Sequence, residues 1–176
     1  MKLPPAPART TPAFGFSTIE RALNDCLGRR LFGKREQDKV IGFFGKNPPE
    51  CVFCGSPHVQ RWDHLVPVYK GGETILGNMV PACARCDDAK RQLTFEEFMD
   101  GSGGHSPLSR GVADVQERKT RLRAYMEHFV YTPTILEQRL SEQERTALDR
   151  IRKRLEESRQ EVKELVDAYR KRTGYR

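Results

Sequence analysis

The stretch CVFCGSPHVQRWDHLVPVYKGGETILGNMVPACARC, residues 51–86, opens and closes with a Cys-x-x-Cys motif. The two-residue gap in each motif lets the backbone turn around a metal ion, so that both thiolates reach one tetrahedral site. Zinc prefers a closed shell of four sulfur ligands in structural sites. A thioredoxin-like redox site would need one such pair opening a helix in a βαβ unit, and that pattern is absent here. The two motifs therefore predict a structural Zn²⁺ held by Cys51, Cys54, Cys83 and Cys86.

The residues between the motifs predict a hairpin followed by a helix. HVQRWDHLVPVY, residues 58–69, has strand character, KGGE at 70–73 supplies a turn, and NMVPA at 78–82 is a second short strand. CARCDDAKRQL is then helical from about Ala84. The zinc would pin together both ends of this hairpin. His58 is interpreted as a polar turn residue, because four cysteines already complete the zinc shell.

Asp63 and His64 lie side by side in the first predicted strand, between apolar neighbours. Asp87 follows Cys86 in the first turn of the predicted helix, where an acidic residue is ordinary helix-dipole chemistry. The zinc also holds that turn against the hairpin, so we expect Asp87 to lie near Asp63. Two carboxylates with a histidine between them suit one hard divalent cation such as Mg²⁺. Adjacent residues of a regular strand point to opposite faces, so this shared site predicts an irregular backbone at residues 63–66.

The segment of residues 50–95 resembles the zinc-containing HNH endonucleases, also called ββα-metal or His-Me finger nucleases. The resemblance rests on residue types, order and loop lengths at Cys51, Cys54, Asp63, His64, Gly71, Gly72, Asn78, Cys83, Cys86, Asp87 and Lys90. It implies a zinc-bound, treble-clef-like ββα-metal core. With the helices predicted on either side of it, the chain is expected to be an α+β protein.

Carried over residue by residue, the resemblance implies hydrolysis of DNA phosphodiester bonds with a single catalytic metal. His64 would be the general base that takes a proton from the attacking water. Asp63 and Asp87 would bind the catalytic Mg²⁺ or Mn²⁺. Asn78 would orient His64 by a side-chain or backbone hydrogen bond. Asp87 stands where the family usually has Asn or His, and a carboxylate is a harder ligand for Mg²⁺ than an amide.

Lys90 and Arg91 lie one turn beyond Asp87 on the predicted helix. They would either hold the scissile phosphate and its neighbours or be simple solvated charges, and the sequence favours neither interpretation.

A net charge of +7 and a pI near 9.3 favour a polyanionic partner, most simply double-stranded DNA. A catalytically inactive, zinc-stabilised DNA-binding module would suit the charge and the cysteines equally well. The presence of Asp63, His64, Asn78 and Asp87 argues against it, because binding alone requires none of them. A protein-interaction adaptor is a third alternative. Among nucleases, restriction, phage, mobile-element and anti-phage defence enzymes are all compatible.

The residues before the first cysteine fall into two segments. Residues 1–13 are expected to be a disordered Pro-rich leader; they lack the apolar core of a signal peptide. Residues 14–50 are expected to be helical, starting from a capping box of Ser17 and Glu20, with Cys26 as a small buried residue. The core is expected to include Val40, Ile41, Phe43 and Phe44. Without a run of about 18 apolar residues to span a membrane, the chain is predicted to be cytoplasmic.

After the HNH-like core of residues 51–100, residues 101–111 have the composition of a flexible linker. Residues 112–176 are expected to form a long helical arm, whose last helix starts at a capping box of Ser141 and Glu144. One narrow apolar stripe follows that helix: Leu148, Ile151, Leu155, Val162, Leu165 and Tyr169. The stripe predicts packing against one surface, either this chain's own core or a second copy or other partner protein.

Overall fold

The structure, a computed structural model, describes residues 11–45, 48–101 and 105–174. Most of the predicted leader therefore lies outside the described residues. The helices and strands are α1 Pro12–Cys26, β1 Arg30–Leu31, α2 Lys34–Phe44, β2 Arg61–His64, β3 Thr74–Ile75, β4 Met79–Ala82, α3 Ala84–Lys90, α4 Phe95–Met99, α5 Val115–His128, α6 Leu136–Arg139 and α7 Glu142–Thr173. Short 3₁₀ helices cover Val68–Lys70 and Leu108–Arg110. The chain is a mixed α+β protein.

The chain consists of two compact units. Residues 24–139 form one unit, which contains both cysteine motifs, and the described residues on either side of it belong to the other. The second unit consists of most of α1 together with α7. Among the described residues, no helix is both long enough and apolar enough to cross a membrane.

The predicted order of two antiparallel strands followed by a helix is confirmed, but the first strand covers only Arg61–His64 and not residues 58–69, and the connection contains a 3₁₀ helix at Val68–Lys70 and the short strand β3. Strands β2 and β4 pair antiparallel, with Asp63 opposite Val80 and His64 opposite Met79, and α3 begins directly after Cys83. The pairing stays regular through His64, and the chain bends only at residues 65–66. The irregular backbone predicted for residues 63–66 is therefore confined to its second half. The second sheet is small and pairs β1 with β3 in parallel.

Helix α5 carries much of the core that supports the hairpin. Tyr125 is completely buried, and its hydroxyl donates to the Met79 carbonyl at 2.8 Å and accepts from the Gly77 amide at 3.2 Å. The Phe43 ring of α2 packs edge-on against Tyr125 with centroids 5.3 Å apart. The expected contribution of α2 to the core is confirmed for Val40 and Phe44, which are buried, and for Phe43, which is half-buried and packs against the core. Ile41 is half-buried and lies outside this core cluster.

The start of α1 differs from the prediction. The helix begins at Pro12, and the Thr11 hydroxyl accepts from the Phe14 amide at 3.2 Å, whereas Ser17 lies inside the helix and donates to the Phe14 carbonyl. A Thr followed by Pro is a stronger start signal than the capping box further along, because Pro is pre-organised for the first helical position. Cys26 is exposed rather than buried, because the last turn of α1 presents it to solvent.

Of the predicted linker, the structure describes Gly101 and residues 105–111, and the latter form a hydrogen-bonded turn. Ser106 is fully buried, and its carbonyl accepts from the Arg110 amide at 3.1 Å and from the Ser109 hydroxyl at 2.9 Å. The turn carries Arg110 to the cysteine cluster, where the guanidinium donates to Cys86 Sγ at 3.0 Å. The contact with Cys86 therefore holds this segment in place. The Gly- and Ser-rich composition of the predicted linker gives no indication of this contact.

The last helix follows the prediction closely. The Ser141 hydroxyl accepts from the Glu144 amide, and the Glu144 carboxylate accepts from the Ser141 amide, so the predicted capping box is confirmed. Of its apolar stripe, Leu148 is buried, whereas Leu165 is 70% exposed and Ile151 and Tyr169 are also exposed.

Candidate metal centre and active site

The four cysteines of the two motifs meet at one point. Their sulfur atoms all lie within 4.8 Å of one another, and Cys54 Sγ is 3.7 Å from Cys83 Sγ. A tetrahedral ion with Zn–S bonds of about 2.3 Å has sulfur atoms about 3.8 Å apart. None of the four is in a disulfide, and all but the half-buried Cys54 are buried. The geometry and the soft donor set therefore fit a structural Zn²⁺.

Local backbone turns build this cluster. The Gly55 amide donates to the Cys51 carbonyl at 2.8 Å, and the amides of Cys86 and Asp87 both donate to the Cys83 carbonyl at 3.1 Å. Gly55 has a φ of +74°, the left-handed conformation that closes the first turn and that glycine adopts at least cost. Each motif thus folds its two sulfurs toward the same side.

Crowding of sulfurs in a buried place gives the cluster its electrostatic character. Hydrogen bonding to Cys51 and Cys54, together with burial, raises the pKa of the Cys86 thiol. Repulsion from the neighbouring Cys51 thiolate adds to the rise, and a divalent cation at the centre would offset it by favouring the thiolate forms. The Arg110 guanidinium at Cys86 already acts in this direction.

Asp63 is buried and pairs with a buried lysine. The carboxylate accepts from the His64 amide at 2.7 Å, and Lys90 Nζ lies 3.3 Å from Oδ1 and 3.2 Å from Oδ2. Burial raises the pKa of Asp63 to about 6, although the Lys90 ammonium opposes this rise. Lys90 is 0% exposed, and burial lowers its pKa. Lys90 is therefore not a solvated charge, which removes one of the two interpretations offered above.

Asp87 lies in the first turn of α3 and pairs with Arg61 of β2. Arg61 Nη1 is 2.6 Å from Asp87 Oδ2 and 2.5 Å from Asp88 Oδ1. The negative charge of Asp87 adds to the rise in the pKa of Asp63, because the two carboxylates are close enough to repel each other. Asp63 and Asp87 therefore interact electrostatically, but each carboxylate forms its ion pair with a different basic residue.

His64 is half-buried at the end of β2, and its Nε2 lies 3.0 Å from Thr74 Oγ1 in β3. In the part of the chain that the structure describes, the cysteines are the one group of three or more His, Cys, Asp or Glu residues gathered as metal ligands. The structure therefore places Asp63 with Lys90, Asp87 with Arg61 and His64 with Thr74.

The hydrogen bonds of the Asn78 amide go to the loop between β2 and β3. Its Oδ1 accepts from the Val66 amide at 2.8 Å, and its Nδ2 donates to the carbonyls of Val66 at 3.0 Å and Glu73 at 2.8 Å. A Cβ on Gly72 would lie 1.8 Å from the Val66 oxygen, so only glycine allows this close approach. The Asn78 side chain thus holds both ends of the loop that runs from His64 to Thr74.

Sequence reasoning missed the partners of this site. Glu73 is 2% exposed and receives the guanidiniums of Arg29, with Nη2 at 2.7 Å from Oε2, and of Arg139, with Nη1 at 2.6 Å from Oε1. Thr74 and Arg61 were missed as well. No local pattern marks these contacts, because the partner residues come from distant parts of the chain.

An open cavity of about 1160 Å³ lies beside α3. Basic residues and one aromatic ring dominate its wall: Lys70, Arg85, Lys90, Arg91, His105 and Tyr69. Tyr69 is 61% exposed, which leaves its ring accessible for stacking. The Arg91 guanidinium donates through Nε to the Asp88 carbonyl at 3.2 Å and also faces this cavity.

Comparison with known proteins identifies the segment that contains both clusters. Residues 51–92 match the family model described as HNH endonuclease. This segment is an HNH domain. Searches of the curated proteins and of the solved structures find no match. The HNH domain implies a nuclease-type function and a nucleic acid as substrate.

Proposed function

We propose that the HNH domain hydrolyses DNA phosphodiester bonds with one Mg²⁺ or Mn²⁺ and with His64 as the general base. The observation that supports this proposal is that the half-buried His64, whose imidazole contacts Thr74, directly follows the buried Asp63, at the end of a strand that pairs with the strand leading into the second cysteine motif. Binding without catalysis would have no need of this arrangement.

Asp63 and Asp87 would hold the catalytic ion. Both are oxygen ligands of the type that Mg²⁺ and Mn²⁺ prefer, and the negative charge of Asp87 contributes to the raised pKa of Asp63. When bound, the ion would polarise a phosphoryl oxygen and stabilise the departing 3′ oxygen. Lys90 and Arg61 now balance the two carboxylates, so ion binding would compete with these ion pairs.

His64 would take the proton of the attacking water, because a neutral imidazole accepts a proton at a pH near neutrality. Asn78 would support this step indirectly, by holding the loop that follows His64. Arg91 would neutralise the scissile phosphate or its neighbours, and the basic cavity beside α3 would receive the backbone of double-stranded DNA. Lys90, which is fully buried against Asp63, would reach a phosphate only after leaving that ion pair.

The test is a nicking assay on supercoiled plasmid in the presence of Mg²⁺ or Mn²⁺. His64→Ala should abolish cleavage and leave DNA binding in a gel shift unchanged. His58→Ala is the matched control, since His58 is exposed in a turn after the first cysteine motif, and it should cleave at the rate of the unmodified chain. Full cleavage by His64→Ala would refute the assignment of the base.

A zinc-stabilised DNA-binding module without catalysis is the second candidate. One observation favours it: the carboxylates of Asp63 and Asp87 already have basic partners within the domain. Such a module would shift DNA in a gel but leave plasmid intact with Mg²⁺ and with Mn²⁺. Cleavage that EDTA abolishes would exclude it.

The long helix α7 would set how many strands are cut. Its exposed apolar residues, among them Leu165 at 70% exposure, suit a second copy or a defence-system partner protein. A monomer with one active site would nick, whereas a homodimer with two opposed sites would break both strands. Light scattering for mass, paired with the ratio of nicked to linear plasmid, tests this. Restriction or anti-phage defence in the cytoplasm would be compatible with either outcome.

A further inference from the structure

A single hydroxyl group links His64 to the chain that precedes the HNH domain. Thr74 Oγ1 lies 3.0 Å from His64 Nε2 and 3.2 Å from Asp25 Oδ1, near the end of α1. Asp25 Oδ2 in turn forms an ion pair with Arg30 Nη1. A chain of polar contacts therefore runs from Arg30 through Asp25 and Thr74 to the imidazole.

The donor and acceptor properties of these groups determine which atom donates each hydrogen bond. A carboxylate only accepts hydrogen bonds, so the hydroxyl proton of Thr74 is donated to Asp25. Because that hydroxyl has no second proton, its oxygen can only accept from His64, and Nε2 must carry the proton. A neutral imidazole protonated at Nε2 has its basic lone pair on Nδ1.

The fold anchors Asp25 beside Thr74 through two further contacts. Arg30 is paired with Thr74 in the parallel β1–β3 sheet. The backbone amide and Nε of Arg29 donate to Glu73 Oε1 at 2.9 and 3.0 Å, and the Glu73 side chain is 1% exposed. The approach of Asp25 to Thr74 is therefore supported by strand pairing and by an ion pair whose carboxylate is buried, in addition to the contact of Asp25 with Arg30.

We propose that Asp25 and Thr74 are positioning residues that hold the His64 tautomer with its basic lone pair on Nδ1. The proposal rests on the function of His64 as the general base. It makes the segment of residues 25–31, which lies outside the residues that match the HNH model, a necessary part of the working site.

Asp25→Asn tests the direction of the chain. Arg30 can only donate, so the Asn amide oxygen should stay with Arg30 and the amide NH₂ should face Thr74. The Thr74 hydroxyl would then reverse and donate to His64 Nε2, which moves the imidazole proton to Nδ1. Asp38→Asn is the matched control, because Asp38 forms an exposed ion pair with Lys34 in α2.

The measurement is a long-range ¹H–¹⁵N correlation spectrum of the zinc-loaded full chain, with the His64 signals identified by their loss in His64→Gln. We expect the Nε2–H form in the unmodified chain and in Asp38→Asn, and the Nδ1–H form in Asp25→Asn. An Nε2–H signal that persists in Asp25→Asn would overturn the proposal.

Thr74→Val tests the consequence for catalysis, because valine keeps the shape of the side chain and removes the hydroxyl. The single-turnover nicking rate should fall on the order of 10- to 100-fold, within the range of general-base effects, with DNA affinity unchanged. Thr74→Ser should restore the rate, and Thr120→Val, which removes an exposed hydroxyl on α5, should leave it unchanged. Unaltered rates in both Thr74→Val and Asp25→Asn would contradict the proposal.

The two readouts separate this inference from the proposed function. If the protein never cleaves DNA but its His64 tautomer changes in Asp25→Asn, the positioning role of Asp25 and Thr74 would be supported and the nuclease function would be refuted. If cleavage depends on His64 but neither the rate nor the tautomer changes in the Asp25 and Thr74 variants, the nuclease function would be supported and the positioning role would be refuted.

Discussion

The HNH domain contains two clusters of chemically reactive side chains, and they differ in how they are completed. The four cysteine sulfurs converge on one point, and each lies close to the other three. The side chains of Asp63, His64 and Asp87 instead turn to separate partners, namely Lys90, Thr74 and Arg61. Spacing within each motif, together with the β2–β4 hairpin between the motifs, is enough to build the first cluster. The second depends on elements that lie far from it in the sequence.

The largest expected effect is loss of the cysteine cluster. Cys86→Ser, or removal of zinc with a strong chelator, should unfold the domain, because structural zinc contributes on the order of 10 kcal/mol and the surrounding core is small. Cys26→Ser is the matched control, since Cys26 is exposed and outside the cluster. Metal content by mass spectrometry and unfolding by circular dichroism would check this. A Cys86→Ser chain with an unchanged melting curve would show that the cluster does not support the fold.

The buried pair in the second cluster should give the next largest effect. Lys90→Met should lower the free energy of unfolding by about 3–5 kcal/mol, because it leaves the Asp63 carboxylate buried without its cation. Asp63→Asn combined with Lys90→Met should cost less than the sum of the single changes, measured by denaturant unfolding. Mg²⁺ should recover part of the loss in Lys90→Met and none in the double variant. Additive single effects would disprove the coupling.

Glu73 should make stability depend on acid pH. Burial raises the pKa of Glu73, but the Arg29 and Arg139 guanidiniums outweigh it and bring that pKa to about 2, below the usual 4.5. Since the pKa is lower in the folded state, the stabilisation is present above about pH 5 and is lost as pH falls toward 2. The difference in unfolding free energy between the unmodified chain and Glu73→Gln should therefore shrink from about 3 kcal/mol at pH 6 toward zero near pH 2. A difference that stays constant would exclude this cause.

The smallest effect is expected at the exposed pairs of Arg61. Asp87→Asn and Asp88→Asn should each change the free energy of unfolding by less than about 1 kcal/mol, because these ion pairs are accessible to solvent. Only Asp87→Asn, which introduces one of the two residue types that the resemblance implies at this position, should raise the Mg²⁺ concentration needed for half-maximal nicking. Equal Mg²⁺ dependence in the two variants would remove Asp87 from the catalytic metal site.

The elements that were predicted well have short-range causes. The ββα order, the start of α3 at Ala84 and the capping box of α7 follow from alternation, motif spacing and side-chain caps within a few residues. The start of α1 was predicted too late, because the Thr11–Pro12 signal was assigned to a leader. The turn at residues 105–111 was predicted to be part of a flexible linker, because composition does not reveal the hydrogen bond from Arg110 to Cys86.

By itself the sequence determined the cysteine cluster, the hairpin and helix that carry the site, and the residue types available for hydrolysis. These properties depend on spacing and periodicity, which are local. Only the tertiary structure decided that Lys90 is buried against Asp63, that Asn78 holds the loop, and that Asp25 reaches His64 through Thr74. Such contacts arise from the packing of segments distant in sequence, and desolvation then sets how strongly each charge depends on its partner.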